Sequence, residues 1–170
     1  MASAGLRGRS HAAGMHGAWQ IQPLAELPAG IEALRARAVA EGFRFMDRLV
    51  MDWRAGTNRF DGAGEVLLGA FDGGSLVGVG GLNRDPHAEE EGVGRLRHLY
   101  VARAVRRRGI ASLLVGQLLR RAEGTFRIVR LRTETQEAAC FYARQGFACT
   151  KSETASHRLI LPRRLPPPEG

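Results

Sequence analysis

Lysine is almost missing from this 170-residue chain: Lys151 is the only one, so the other 24 of its 25 basic residues are arginines. That shortage removes one class at once, because a nucleotide-hydrolysing P-loop needs a lysine in its Gly-Lys-Ser/Thr ending. Cysteine is nearly as scarce. Cys140 and Cys149 stand nine positions apart, which gives neither the paired spacing of a metal site nor a disulfide framework. A reducing, cytoplasmic setting is therefore expected, no metal is expected, and both residues read as core thiols. Aromatic residues make up 6% of the chain, too few for a stacking platform under single-stranded nucleic acid. The net charge of +8 still leaves a phosphate backbone open as a partner. No apolar run approaches the roughly 20 residues that cross a bilayer. Residues 1–18 carry Arg7 and Arg9 but no apolar core, so no secretory leader is expected.

What is present fits one domain, with a hydrophobic content of 44% and a length that suits a single core. Residues 1–18 read as a disordered tail, 19–161 as the domain, and 162–170, with Pro166-Pro167-Pro168, as an extended tail. Trp19–Leu24 alternates and meets a proline, which predicts a first strand. Ile31–Ala40 repeats apolar residues at helical spacing, and so does the stretch from about Phe43 to Arg54, through Met46, Leu49, Val50 and Trp53. Two strands, Glu65–Phe71 and Leu76–Leu82, flank Asp72-Gly73-Gly74-Ser75 as a hairpin. Polar Asn83–Gly94, with Glu89-Glu90-Glu91, reads as a loop. Strand Leu96–Val101, helix Ile110–Ala122 and strand Phe126–Thr133 then form a parallel pair joined by a right-handed crossover. A helix over Gln136–Gln145, capped by Thr135 and ended by Gly146, precedes strands Phe147–Lys151 and Ser156–Leu161. The class is α/β (α+β): a mixed sheet of six to seven strands flanked by about four helices.

One segment contradicts helix electrostatics. Val105-Arg106-Arg107-Arg108-Gly109-Ile110-Ala111-Ser112 places three cations at a helix N-terminus, where unpaired N–H groups already make a partial positive charge. An anion filling the gap resolves the conflict, and a phosphate is the natural one. A dinucleotide fingerprint needs three spaced glycines, and Gly109 stands alone. What remains is Arg106-x-x-Gly109-x-Ala111 between strand and helix, with small residues where backbone must approach a ligand.

Leu99-Tyr100-Val101, then that turn, then Ala138-x-x-Phe141-Tyr142-x-x-x-Gly146-Phe147 together resemble the GNAT superfamily of acyl-CoA N-acyltransferases. The likeness is sharpest over 96–147 and extends through the strand order to about 19–161. It implies acetyl-CoA as co-substrate, with Arg106, Arg107, Arg108, Gly109, Ile110, Ala111 and Ser112 offering amides to the coenzyme pyrophosphate. Leu99, Tyr100 and Val101 would pair with the pantetheine arm. Tyr142 would donate a proton to the departing thiolate. Thr135 stands where relatives often carry an asparagine that touches pantetheine, so a hydroxyl replaces an amide. Relatives also often place a glutamate on the central strand, but Arg95-Leu96-Arg97-His98 holds no carboxylate. His98 and the acidic loop ending at Glu91 are the candidates for the base, alongside a water chain. Trp53, Asn58 and Arg59 lie where the family shapes its acceptor side, and the acceptor is expected to be a small-molecule or peptide amine. Homodimers are common among relatives. Two other readings remain open: a non-catalytic acyl-CoA sensor, and a basic nucleic-acid-binding module. His157 reads as structural.

Overall fold

In the computed structural model, which describes residues 19–163, every expected element is present in the expected order. The tails read from the sequence lie outside the described residues, apart from Pro162 and Arg163. The strands are β1 (Gln20–Pro23), β2 (Val66–Asp72), β3 (Ser75–Arg84), β4 (Val93–Val101), β5 (Ile128–Leu131), β6 (Ala148–Cys149) and β7 (His157–Ile160). The helices are α1 (Ile31–Ala40), α2 (Phe45–Ala55), α3 (Ile110–Ala122) and α4 (Gln136–Arg144), with a 3-10 turn over Arg103–Val105. The strands form one sheet in the order β1-β2-β3-β4-β5-β7-β6, antiparallel except for the β4–β5 pair. No helix among the described residues is long and apolar enough to cross a membrane.

The helices cover both faces. On α2 the apolar stripe Met46, Leu49, Val50 and Trp53 is fully turned inward, as its three-and-four spacing requires. With α1 it packs on Leu67, Leu76, Val79 and Tyr100. On the other face α3 buries Ile110, Leu114, Val115, Leu118 and Ala122 against β2, β3 and β4, joined by Tyr142 and Phe147. Strand β3 is glycine-rich because it is approached closely from both sides. A Cβ on Gly80 would stand 3.2 Å from Leu118, and one on Gly81 would stand 2.6 Å from the Phe60 ring.

Two expectations change. The polar stretch 83–94 is loop only between Arg84 and Val93, because Val93, Gly94 and Arg95 pair in register with Ile128, Val129 and Arg130. Tertiary pairing recruits a segment that its own composition marks as a turn. Neither cysteine is a core thiol; both are exposed. On α4 the inward position belongs to Tyr142, and Cys149 sits on β6 at the sheet edge, its Sγ 3.6 Å from His157 Nε2. His157 itself is buried, its Nδ1 2.9 Å from Ser156 Oγ.

Candidate active site

The centre of the site is the strand that leaves its partner. β4 pairs with β5 only as far as Arg95, so from Leu96 to Val101 its edge toward β5 has no strand partner. On the opposite edge the register with β3 slips: Arg97 faces Gly81 and Tyr100 faces Val79. His98 and Leu99 therefore both stand opposite Gly80, a β-bulge with His98 at φ 56°. The extra residue shifts the phase of the strand. Leu96, Leu99 and Val101 join the α3 cluster, whereas Tyr100 joins the α1–α2 cluster and the His98 ring lies beside Phe45 and Phe60.

At the far end of β4 the chain turns through Arg103–Val105 into the arginine run. Arg107 (φ 63°) and Gly109 (φ 84°) are both left-handed, and Gly109 is the N-cap of α3 without a side-chain cap. The helix's first turn holds no acidic residue. Among the described residues, nothing accepts a hydrogen bond from the backbone N–H groups of Arg107 through Ser112; the ladder begins only at Leu113, donating to Gly109 O at 3.0 Å. Six successive donors without an acceptor thus stand at the positive end of a helix dipole, which suits an anion. A Cβ on Gly109 would meet nothing within 4 Å, so the chain is not crowded at that residue.

The arginines divide their work. The Arg106 guanidinium turns away from the amides: its Nε donates to Val101 O at 2.9 Å, and its terminal nitrogen donates to Glu41 Oε2 at 2.8 Å. It also lies 5.5 Å from the Tyr100 ring centre, and the Tyr100 hydroxyl donates to the same Glu41 oxygen at 2.5 Å. The Tyr100 hydrogen bond, aided by Arg106, holds the Glu41 carboxyl below the usual carboxylate range, while burial and Glu41 push the Tyr100 phenol up to about 12. Arg107 and Arg108 are exposed and have no carboxylate partner among the described residues. Ser112 Oγ accepts from Gln145 Nε2 at 3.1 Å, linking the head of α3 to the end of α4.

Tyr142 is the one buried residue of α4, 8% exposed, with its ring edge-on to Phe141 and Phe147. Its hydroxyl makes no hydrogen bond among the described residues, and burial pushes the phenol well above its ordinary value. Thr135 caps α4, its Oγ1 accepting from Ala138 N at 3.2 Å. That contact leaves its own O–H free to donate.

Other sequence candidates are placed differently. His98 is 8% exposed, and burial, followed by the charge of Arg97, lowers its imidazole to about 3. It stays neutral, but so weak a base is poorly matched to proton removal near pH 7. Glu91 is exposed and lies in the turn ahead of β4, five residues before the point where β4 and β5 part. Trp53 is part of the core, Asn58 Oδ1 accepts from Phe60 N at 3.1 Å, and Arg59 Nε donates to Trp53 O at 3.0 Å. All three hold the α2–β2 connection in shape.

A polar group that the sequence did not single out sits where the strands part. Asp85, with a side chain 0% exposed, accepts from Arg130 Nε at 2.7 Å and from Arg95 at 3.5 Å. Burial pushes its carboxyl up, but the Arg130 hydrogen bond, the His87 N–H and the charge of Arg95 outweigh this and hold it below the usual range. The signal was an aspartate closing a strand with arginines spaced along the next two, and it was legible only once the strands were paired.

A sheet parted at one strand, a bulge near the parting and a turn of amides without acceptors at the strand's end are brought together by this fold. The family model described as Acetyltransferase (GNAT) family matches residues 30–147, and the chain belongs to that family. No curated protein matches it. Among solved structures, a candidate acetyltransferase from Exiguobacterium sp. 255-15 superposes with a TM-score of 0.76 at 24% identity, over 85% of this chain and 94% of that one. Ard1 from Thermoplasma volcanium gives 0.65 at 20% identity, over 86% and 100%. An acetyltransferase from Streptococcus agalactiae 2603 gives 0.66 at 16%, over 84% and 98%. At these identities the likeness is one of fold.

Proposed function

We propose that this protein is a cytoplasmic N-acetyltransferase that moves an acetyl group from acetyl-CoA to a primary amine by direct attack. One observation carries the reading: the six unsatisfied amides of Arg107–Ser112, at the end of a strand whose other edge is free. The amides take the pyrophosphate, with Arg107 and Arg108 adding charge, and the Leu96–Val101 edge takes the amide-bearing pantetheine arm as a strand would. Thr135 donates its hydroxyl to that arm. Acetyl-CoA supplies an activated acyl carbon and a thiolate leaving group.

The chain's own groups then have defined tasks. On the edge that β5 leaves, β4 has no strand partner, and a backbone N–H near Tyr100 or Val101 is the donor for the thioester oxygen, the kind of preorganised group that stabilises an oxyanion. Tyr142 carries the proton for sulfur. Its phenol is fully protonated at any physiological pH, and the burial that weakens it as an acid also raises the thiol above its reference of about 8.5, which keeps the transfer within reach. The amine loses its proton through water, because His98 is too weak a base and Glu91 too distant.

Thermal-shift titration with acetyl-CoA and a thiol-release assay across amines test this. Specific binding raises the melting point, by about 2.7 kcal/mol of stabilisation at 100 times Kd. No shift with acetyl-CoA but tight, salt-sensitive nucleic-acid binding would replace the enzyme with the nucleic-acid module. A shift without thiol release on any amine would leave an acyl-CoA sensor.

A further inference from the structure

The acceptor side carries its own chemistry. The bulge turns Arg97 and His98 to the same face of β4, opposite Gly81 and beside α2, whose Arg48 and Asp52 are the nearest charges on that helix. Asn83 and Arg95 are cross-strand partners immediately adjacent, and Arg130 is the next partner across β5. Within this group most charges are settled. Asp85 is held by Arg95 and Arg130, both of which also reach Thr154, and Asp52 is held by Arg48 at 3.2 Å.

Three groups are not settled. Arg97 is half-buried and, among the described residues, has no carboxylate within 4.0 Å and no hydrogen-bond acceptor. Asn83, 7% exposed, has its Oδ1 buried without a partner, and so does His98 at Nδ1. Unsatisfied buried polar atoms are uncommon and costly, and a guanidinium withdrawn from bulk water without a counter-charge is costlier. All three lie where β4 leaves β5, beside the His98–Leu99 bulge.

We propose that this cluster is an acceptor subsite for a small amine that also carries an anionic group, carboxylate or phosphate: Arg97 takes the anion, and Asn83 Oδ1 and His98 Nδ1 accept from the amine. This rests on the acetyltransferase reading and narrows it. Arg48, Arg95, Arg97 and Arg130 face only Asp52 and Asp85 here, so a polyamine or a cationic side chain is repelled and an anion is drawn in. A planar guanidinium gripping a carboxylate or phosphate through two N–H bonds also fixes the direction in which the amine points.

The test is a thiol-release assay on matched pairs: free amino acids against their amides, and aminoalkyl phosphates against the parent amino alcohols. The anionic member is expected to exceed its neutral partner in kcat/KM by about 10- to 100-fold. Whether carboxylates or phosphates lead identifies the source of the anion. Arg97→Gln is expected to bring the ratio close to one while acetyl-CoA still raises the melting point, and Arg97→Lys to recover part of the preference. Equal or better turnover of neutral amines by the native protein overturns the subsite, as does a preference that survives Arg97→Gln. Acetyl-CoA binding with no release on any anionic probe overturns it too. Loss of both the acetyl-CoA shift and all thiol release is a separate result, and removes the acetyltransferase reading itself.

Discussion

Gly109 is the position where structure and ligand binding can be pulled apart. Its φ of 84° is left-handed, and an added Cβ meets nothing within 4 Å. Gly109→Ala therefore costs no packing. It costs backbone strain of about 1–2 kcal/mol for a non-glycine in that region, offset by about 0.4–1 kcal/mol because alanine restricts the unfolded chain. The net loss is about 1 kcal/mol, a fall in Tm of roughly 2–4 °C for a domain of this size. Ligand binding pays separately. A Cβ inside the run of free amides would crowd an anion bound there, and each hydrogen bond lost to a charged group costs about 1.5–3 kcal/mol. Displacing the anion from one donor then weakens acetyl-CoA binding about 10- to 150-fold.

Gly109→Asn is the control. Asparagine tolerates the left-handed region, so the Tm should return toward the native value. Its side chain still occupies the space a phosphate needs, so affinity should stay low. Equilibrium binding by calorimetry, with Tm measured on the ligand-free protein, gives both numbers. If the two variants bind acetyl-CoA with native affinity, the amide turn is not the pyrophosphate site.

Three further outcomes follow from the geometry. Tyr142→Phe should lower kcat by about 10²–10⁴ with acetyl-CoA affinity little changed; native turnover in single-turnover kinetics would dismiss Tyr142 as the acid. His98, held near 3 when folded against an ordinary 6.5, takes up a proton only on unfolding between those values. Its contribution is therefore intact above pH 6.5 and is lost as pH falls, by about 2 kcal/mol at about pH 5. His98→Asn, which keeps the left-handed backbone, should flatten stability between about pH 5 and 6.5 in urea titrations, and an unchanged slope would refute the burial argument. Asp85→Asn strands Arg95 and Arg130 without their counter-ion and should destabilise the fold by about 3–5 kcal/mol, readable as a lower urea midpoint.

Element order was legible because each segment's periodicity agreed with its tertiary place: the α2 stripe, the glycine hairpin and the strand–helix–strand crossover all point the same way. The amide turn was legible from a local conflict, three cations on a positive helix end. The bulge was less so, although a trace existed. Apolar Leu96, Leu99 and Val101 are spaced by three and then two, and that one-residue slip is what the bulge resolves. Asp85 was hidden in a run of polar residues, since nothing local distinguishes a buried carboxylate from a solvated one. Its partners come from strands 10 and 45 residues further on. The surroundings of the acceptor-side candidates were hidden for the same reason. Trp53 is buried in the core, and Asn58 and Arg59 bond to neighbouring backbone, contacts that no local pattern announces.

The arginine run also has a different logic from the one its sequence suggests. Three adjacent cations cannot all serve one anion, because their side chains leave the backbone in different directions. Arg106, following an extended residue conformation (φ −66°, ψ 161°), folds back onto Val101 and Glu41, and the left-handed Arg107 then reverses the chain into the helix. Its charge is neutralised by Glu41, so its cost at the helix end is small, and its reach ties the last carbonyl of β4 to the end of α1. The turn is thereby tied to the end of α1 by a salt bridge. The same carboxylate also receives Tyr100, two residues past the bulge. Glu41 therefore ties together β4, through Tyr100, and the turn that carries the amides, through Arg106. If the proposed reading holds, donors that meet a pyrophosphate at one end and an acyl carbonyl at the other need the distance between them set in advance. Here one carboxylate from outside the motif makes that tie.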